Sequence, residues 1–106
     1  MNDRLNILHL EDEPDYADLV SQLLAHEGID AAIRLVSTRE DFDQALSTDQ
    51  FDLILADYSL QNWNGIQALR LAREKSPVTP FLLVSGTVSE HVAIESMRGG
   101  ATDYVL

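Results

Sequence analysis

Three apolar runs in this 106-residue chain are each followed by groups able to do chemistry. Asn6–Leu10 (NILHL) leads into Glu11-Asp12-Glu13, Leu53–Ala56 (LILA) into Asp57, and Phe81–Val84 (FLLV) into Ser85-Gly86-Thr87. Carboxylates gathered at one place repel one another unless a cation sits among them. Their hard oxygens suit Mg²⁺, which keeps several waters and takes one or two carboxylates plus phosphate oxygens. An aspartate beside such an ion can attack a phosphoryl group as a nucleophile, while the ion neutralises charge on the group in transfer. A hydroxyl at Ser85 could hydrogen-bond the new phosphoryl oxygen, and Gly86 leaves room for the donor. Each piece alone has a plainer reading: acids at a helix start, favoured by its dipole, a turn aspartate, a cap or turn hydroxyl. Their joint placement after three strands favours the chemical reading. The histidines add little. His9 falls inside a strand and reads as a core or interstrand residue, His26 and His91 read as solvated, and no histidine pair has metal-ligand spacing.

These groups must be positioned by the elements between them. Pro14–Glu27 reads as a helix with Pro14 in its first turn, where a missing N–H costs nothing. Tyr16, Leu19, Val20, Leu23 and Leu24 recur along it at helical spacing, and Gly28 closes it. Ala31–Val36 is a second strand. Thr38 is the expected N-cap of the next helix, with Asp41 completing a capping-box arrangement and Phe42, Ala45 and Leu46 turned inward. Leu53–Ala56 is nearly all apolar, as in a strand covered on both faces. Asn64 is the expected N-cap of a helix over Gly65–Lys75, Ser76-Pro77 and Pro80 bracket a loop, and Phe81–Val84 is a fourth strand. A helix over Ser89–Arg98 stops at Gly99-Gly100, and Tyr104–Leu106 begins a fifth strand. Strands alternating with helices imply an α/β fold, a parallel sheet with helices on both faces and right-handed crossovers. In such sheets a site forms beyond the carboxyl ends of the strands, which is where all three chemical loops fall.

Composition bounds the rest. The length suits one domain. The formal net charge of −11, from eighteen acids against seven Lys and Arg, disfavours nucleic acid and anionic membranes and favours cationic partners or metal ions. With no cysteine there is no disulfide or thiolate metal site. No apolar run approaches a membrane span and no signal-peptide pattern opens the chain, so a cytoplasmic protein is expected.

In this order and spacing, LHLEDEPDY, FDLILADYSLQNWNG, FLLVSGT and GGATDYVL resemble the receiver domain of response regulators, the two-component signalling family typified by the chemotaxis regulator. The resemblance covers essentially all of 1–106. It implies a flavodoxin-like, doubly wound parallel five-stranded sheet in the order 2-1-3-4-5, here lacking the last helix. It implies Asp57 as phosphoacceptor, with Mg²⁺ held by Asp12 directly, Glu11 through a water, Asp57, and the backbone carbonyl of Ser59. Ser85 corresponds to the switch hydroxyl and Tyr104 to the switch aromatic. The phosphoryl donor would be a phosphohistidine on a histidine kinase or histidine phosphotransfer protein, with the first helix around Pro14, Asp15 and Asp18 as the docking surface. Phosphorylation would then shift a pre-existing equilibrium and change partner preference. The chain would be a signalling phosphoacceptor, not an enzyme with turnover.

There are departures from the family pattern. The family carries a lysine just after the fifth strand and then a closing helix, whereas this sequence stops at Leu106. The expectation is a receiver truncated from a longer protein, with any output module beyond Leu106 and a homodimer left open. Gln61 stands where a proline is common, and Ser85 replaces the commoner threonine. Ser59 and Thr87 occupy positions at which the family tunes dephosphorylation. The competing reading is a pseudo-receiver, an interaction module that is not phosphorylated. An aspartate-based phosphatase would need a second aspartate two residues past the nucleophile, where Ser59 stands. No G-x-G-x-x-G or Walker pattern supports nucleotide binding.

Overall fold

The computed structural model describes residues 4–84 and the strand at 103–105, the latter by its backbone. In chain order the elements are β1 (Leu5–Leu10), α1 (Pro14–His26), β2 (Ala31–Val36), α2 (Arg39–Thr48), β3 (Leu53–Asp57), β4 (Ser59–Leu60), β5 (Trp63–Asn64), α3 (Gly65–Lys75), β6 (Phe81–Val84) and β7 (Asp103–Val105). Five of the strands form one parallel sheet in the order β2-β1-β3-β6-β7, while β4 and β5 pair separately as a short antiparallel hairpin. Counting sheet strands only, this is the expected 2-1-3-4-5 order. The helix expected over Ser89–Arg98 lies outside the described residues.

The reversal of direction at β1 fixes the layers. The chain steps outward from β1 to β2, then back across β1 to β3 and on to β6. Right-handed crossovers therefore place α1 on one face and α2 and α3 together on the other. The packing follows this rule. Leu8 and Leu10 of β1 and Ile54 and Ala56 of β3 join Phe42, Ala45 and Leu46 of α2 and Ile66, Leu69 and Ala72 of α3 in one buried cluster. Strand alternation sends Ile7, His9 and Leu55 to the opposite face, where they are buried as well.

Helix α1 departs from its expected packing. Of its apolar residues, Ala17 is buried and Val20 and Leu24 are half-buried, at the spacing of one sheet-facing stripe. Tyr16, Leu19 and Leu23 are 41%, 49% and 54% exposed. The apolar residues wrap too far around this helix for one sheet contact to cover them all.

The helix ends follow the sequence closely. Pro14 opens α1, which stops at His26, one residue earlier than expected, and Gly28 follows at φ 77. Thr38 Oγ1 accepts the Asp41 N–H at 3.1 Å. The reciprocal capping box belongs to α3: Asn64 Oδ1 accepts the N–H groups of Ile66 and Gln67, each at 3.0 Å, and Gln67 Oε1 accepts the Asn64 N–H at 3.0 Å. That double cap ties the start of α3 to the hairpin that precedes it.

Candidate functional site

The site is set by strand register. Leu10 of β1 stands opposite Ala56 of β3, so the next residue of each strand, Glu11 and Asp57, emerges from neighbouring central strands at the same edge. Asp12 follows Glu11 into the loop. One carboxylate oxygen from each of Glu11, Asp12 and Asp57 lies within 4.8 Å of the other two. The three side chains singled out from the sequence are thus brought together.

Their hydrogen bonds leave the cluster under-compensated. Asp12 Oδ2 accepts the backbone N–H of Gln61 at 2.9 Å, and Glu11 Oε1 accepts that of Glu13 at 3.3 Å. Asp57 receives backbone N–H groups from Ser59 and Tyr58. Glu11 is only 4% exposed, yet its Oε2 is buried without a partner. Burial pushes the Glu11 carboxyl up to about 7, and the Asp57 charge adds to this; the Glu13 N–H opposes it, while the Asp12 charge and a hydrogen bond to Asp57 raise it further. Burial also raises Asp57, against the N–H of Ser59, the hydrogen bond with Glu11 and the N–H of Tyr58. As two carboxylates neither acid can donate, but a proton on Glu11 can bridge to Asp57, so the pair titrates as a unit. A divalent cation could take that proton's place. Three hard oxygens, from carboxylates among which Glu11 keeps a buried oxygen without a partner, fit Mg²⁺ in both chemistry and charge.

A hairpin and a glycine brace the cluster, and sequence reasoning assigned neither a role. β4 and β5 are joined by the two-residue loop Gln61-Asn62, with Asn62 at φ 68. Trp63 of β5 is buried edge-on against Phe42, with ring centroids 5.7 Å apart. Gly65 donates its N–H to the Tyr58 carbonyl at 2.9 Å. A Cβ at Gly65 would lie 2.4 Å from Leu83 Cδ1, 2.9 Å from the Asp57 carbonyl oxygen and 3.0 Å from Tyr58 Cα. Asp12, Ser37–Glu40 and Gln61–Trp63 line a cleft of about 380 Å³ beside the acids.

The other expected site residues are placed less fully. Ser59 opens β4 directly after the acidic pocket. The backbone of Tyr104 lies in β7 opposite Leu83, while its side chain and all of Ser85 lie outside the described residues. His9 is buried, and its pKa is lowered by that burial, as expected of a core histidine. Among the described residues, no helix is long and apolar enough to cross a membrane.

Residues 7–106 match the response regulator receiver domain family. The chain is 33% identical over 97 residues to the regulatory protein LuxO of Vibrio cholerae, an alignment covering 92% of this chain and 21% of that protein. It thus spans about a fifth of that relative's length. A response regulator from Burkholderia pseudomallei, solved with a phosphorylated aspartic acid and a calcium ion, superposes with a TM-score of 0.84 at 22% identity, covering 95% of this chain and 58% of that one. The receiver domain of a sensor histidine kinase from Pseudomonas aeruginosa, solved with magnesium in its active-site cleft, superposes with a TM-score of 0.80 at 21% identity, covering 95% and 83%.

Proposed function

This chain belongs to the response regulator receiver domain family, and from that premise we propose that Asp57 takes a phosphoryl group from a phosphohistidine. A receiver is a signalling phosphoacceptor, and the acidic cluster of Glu11, Asp12 and Asp57 is the kind of site at which Mg²⁺-dependent aspartate phosphorylation takes place. The observation that carries the reading is the convergence of one oxygen from each of those three carboxylates to within 4.8 Å of the others, with Glu11 keeping a buried oxygen that has no partner.

Asp12 and Asp57, with the Ser59 carbonyl, would hold Mg²⁺ directly, and Glu11 would hold it through a water. Bound there, the ion neutralises charge on the transferring group and helps align it. The chain's own residues do the rest. Asp57 loses its claim on the shared proton and attacks phosphorus through a carboxylate oxygen. The P–N bond of the donor breaks, the imidazole leaves with its electron pair, and an aspartyl phosphate forms. Tyr58 and Ser59 hold the attacking carboxylate through their N–H groups. Ser85 would then turn to the phosphoryl group and Tyr104 inward, shifting the equilibrium toward a state with new partners.

The donor is a histidine kinase or histidine phosphotransfer protein, met in the cytoplasm, and residues 1–106 act as one receiver domain, whose output would pass either through a joined module or through a separate partner. A homodimer is one form that output can take. The test is phosphotransfer with a phosphorylated histidine phosphotransfer protein in the presence of Mg²⁺. Acid-labile, hydroxylamine-sensitive label on wild type and none on Asp57→Asn is expected. Absence of label on wild type, with partner binding unchanged in Asp57→Ala, would instead identify an unphosphorylated interaction module.

A further inference from the structure

We infer that the backbone N–H of Gln61 is a positioning group for the metal site, holding Asp12 by one carboxylate oxygen so that the other is presented to the cation. This rests on the reading of the acidic cluster as a Mg²⁺ site. Gln61 lies 49 residues from Asp12 in sequence, yet its N–H reaches Asp12 Oδ2 at 2.9 Å. The donor is delivered by a braced element. Ser59 pairs with Asn64 and Leu60 with Trp63, Trp63 is wedged against Phe42, and Asn64 is locked by the α3 capping box. The loop tip therefore has little freedom to withdraw the N–H from the acid.

The bond is compatible with coordination, because a carboxylate offers two oxygens and several lone pairs. It is also of the stronger, charge-assisted kind. A proline, common at this position in the family, has no N–H to give, so this hold on Asp12 is particular to a chain with a residue such as Gln61 there. Without it, Asp12 of this chain is freer to swing out toward solvent, away from the like charges of Glu11 and Asp57. Gln61 thus lowers the ordering cost of metal binding, which is preorganisation. It also links the hairpin to the metal: whatever moves the hairpin moves Asp12. Trp63, the only tryptophan in the chain, sits in that hairpin and can report on the coupling.

The turn geometry supplies a clean test. Asn62 has positive φ and Gln61 does not, so Gln61 occupies the first central position of a turn of the type that accepts proline. Gln61→Pro deletes the hydrogen-bond donor and keeps the turn, whereas Gln61→Ala keeps the donor and deletes the side chain. Mg²⁺ titrations followed by Trp63 fluorescence and by calorimetry should give Gln61→Ala the wild-type affinity and Gln61→Pro an affinity about tenfold weaker, the scale of one hydrogen bond to a charged group. Equal affinity in Gln61→Pro and wild type, or an equal loss in Gln61→Ala, overturns the proposal. A second measurement needs no variant at Gln61. In metal-free wild type the Gln61 amide should exchange with solvent about tenfold or more slowly than in Asp12→Ala; equal rates overturn the proposal independently. Failure of wild type to bind Mg²⁺ would instead remove the reading beneath it, with amide exchange still reporting on the hydrogen bond itself.

Discussion

Gly65 packs directly against the backbone of Asp57: a Cβ placed on it would stand 2.9 Å from the Asp57 carbonyl oxygen. It would also meet Tyr58 Cα at 3.0 Å, so the obstacle is backbone on both counts and cannot rotate away. Alanine is the better helix former by about 1 kcal/mol, yet sterics should win. Gly65→Ala is expected to destabilise the domain by about 1–3 kcal/mol, the usual cost of overpacking, and to slow phosphorylation because the displaced segment carries the nucleophile. Urea denaturation and a phosphotransfer time course check both effects.

Glu11 makes stability depend on pH in a defined window. Its folded-state carboxyl titrates near 7, against an ordinary value of 4.5. Between those values the folded chain binds more protons than the unfolded one, so stability falls as pH rises. In EDTA, the difference in unfolding free energy between wild type and Glu11→Gln should decline across that window and level off above about 7. Mg²⁺ competes with the same proton, so it should raise the melting temperature of wild type more near pH 8 than near pH 6, values chosen about either side of that midpoint.

Asp57→Asn should separate function from stability. It removes the nucleophile and, with it, a negative charge beside Glu11. Phosphorylation is expected to vanish, while metal-free stability at neutral pH rises by on the order of 1 kcal/mol through relief of like-charge repulsion. The Glu11 titration, followed by carboxyl NMR, should move down. An unchanged Glu11 titration would mean that the two acids are not coupled as their geometry implies.

The two capped helices should respond unequally. Thr38 supplies one side-chain bond to α2, whereas Asn64 accepts two N–H groups and is itself held by Gln67. Thr38→Ala should cost about 1 kcal/mol and Asn64→Ala nearer 2. Because Asn64 also belongs to the hairpin that carries Gln61, Asn64→Ala alone should weaken Mg²⁺ binding as well.

Much of this could be read from the residues themselves. Apolar runs such as NILHL and LILA leave a buried parallel strand as the economical reading, and the acids that follow them fall at one sheet edge by topology alone. Thr38 and Asn64 were visible as caps because their side-chain chemistry is local. What was not legible depended on contacts distant in sequence. The Gln61–Asp12 hydrogen bond joins residues 49 apart, and nothing in either residue type announces it. The need for glycine at 65 comes from Leu83, Tyr58 and Asp57; the one local hint was a poor helix former at the first position of α3. The α1 stripe misled for a related reason. Helical spacing shows that Tyr16, Leu19 and Leu23 lie on adjacent turns, but not how much neighbouring surface is present to cover them.

The pairing of Leu10 with Ala56 has a consequence for protein engineering. Two of the three acids owe their proximity to nothing more elaborate than equal strand lengths measured from a shared rung. Deleting or inserting a single residue within β1 or β3 would shift one acid along the edge and reverse the face to which its neighbours point. Conversely, a designer could transplant the arrangement onto an unrelated parallel sheet by ending two adjacent strands level with one another and adding a braced hairpin to steady the third acid.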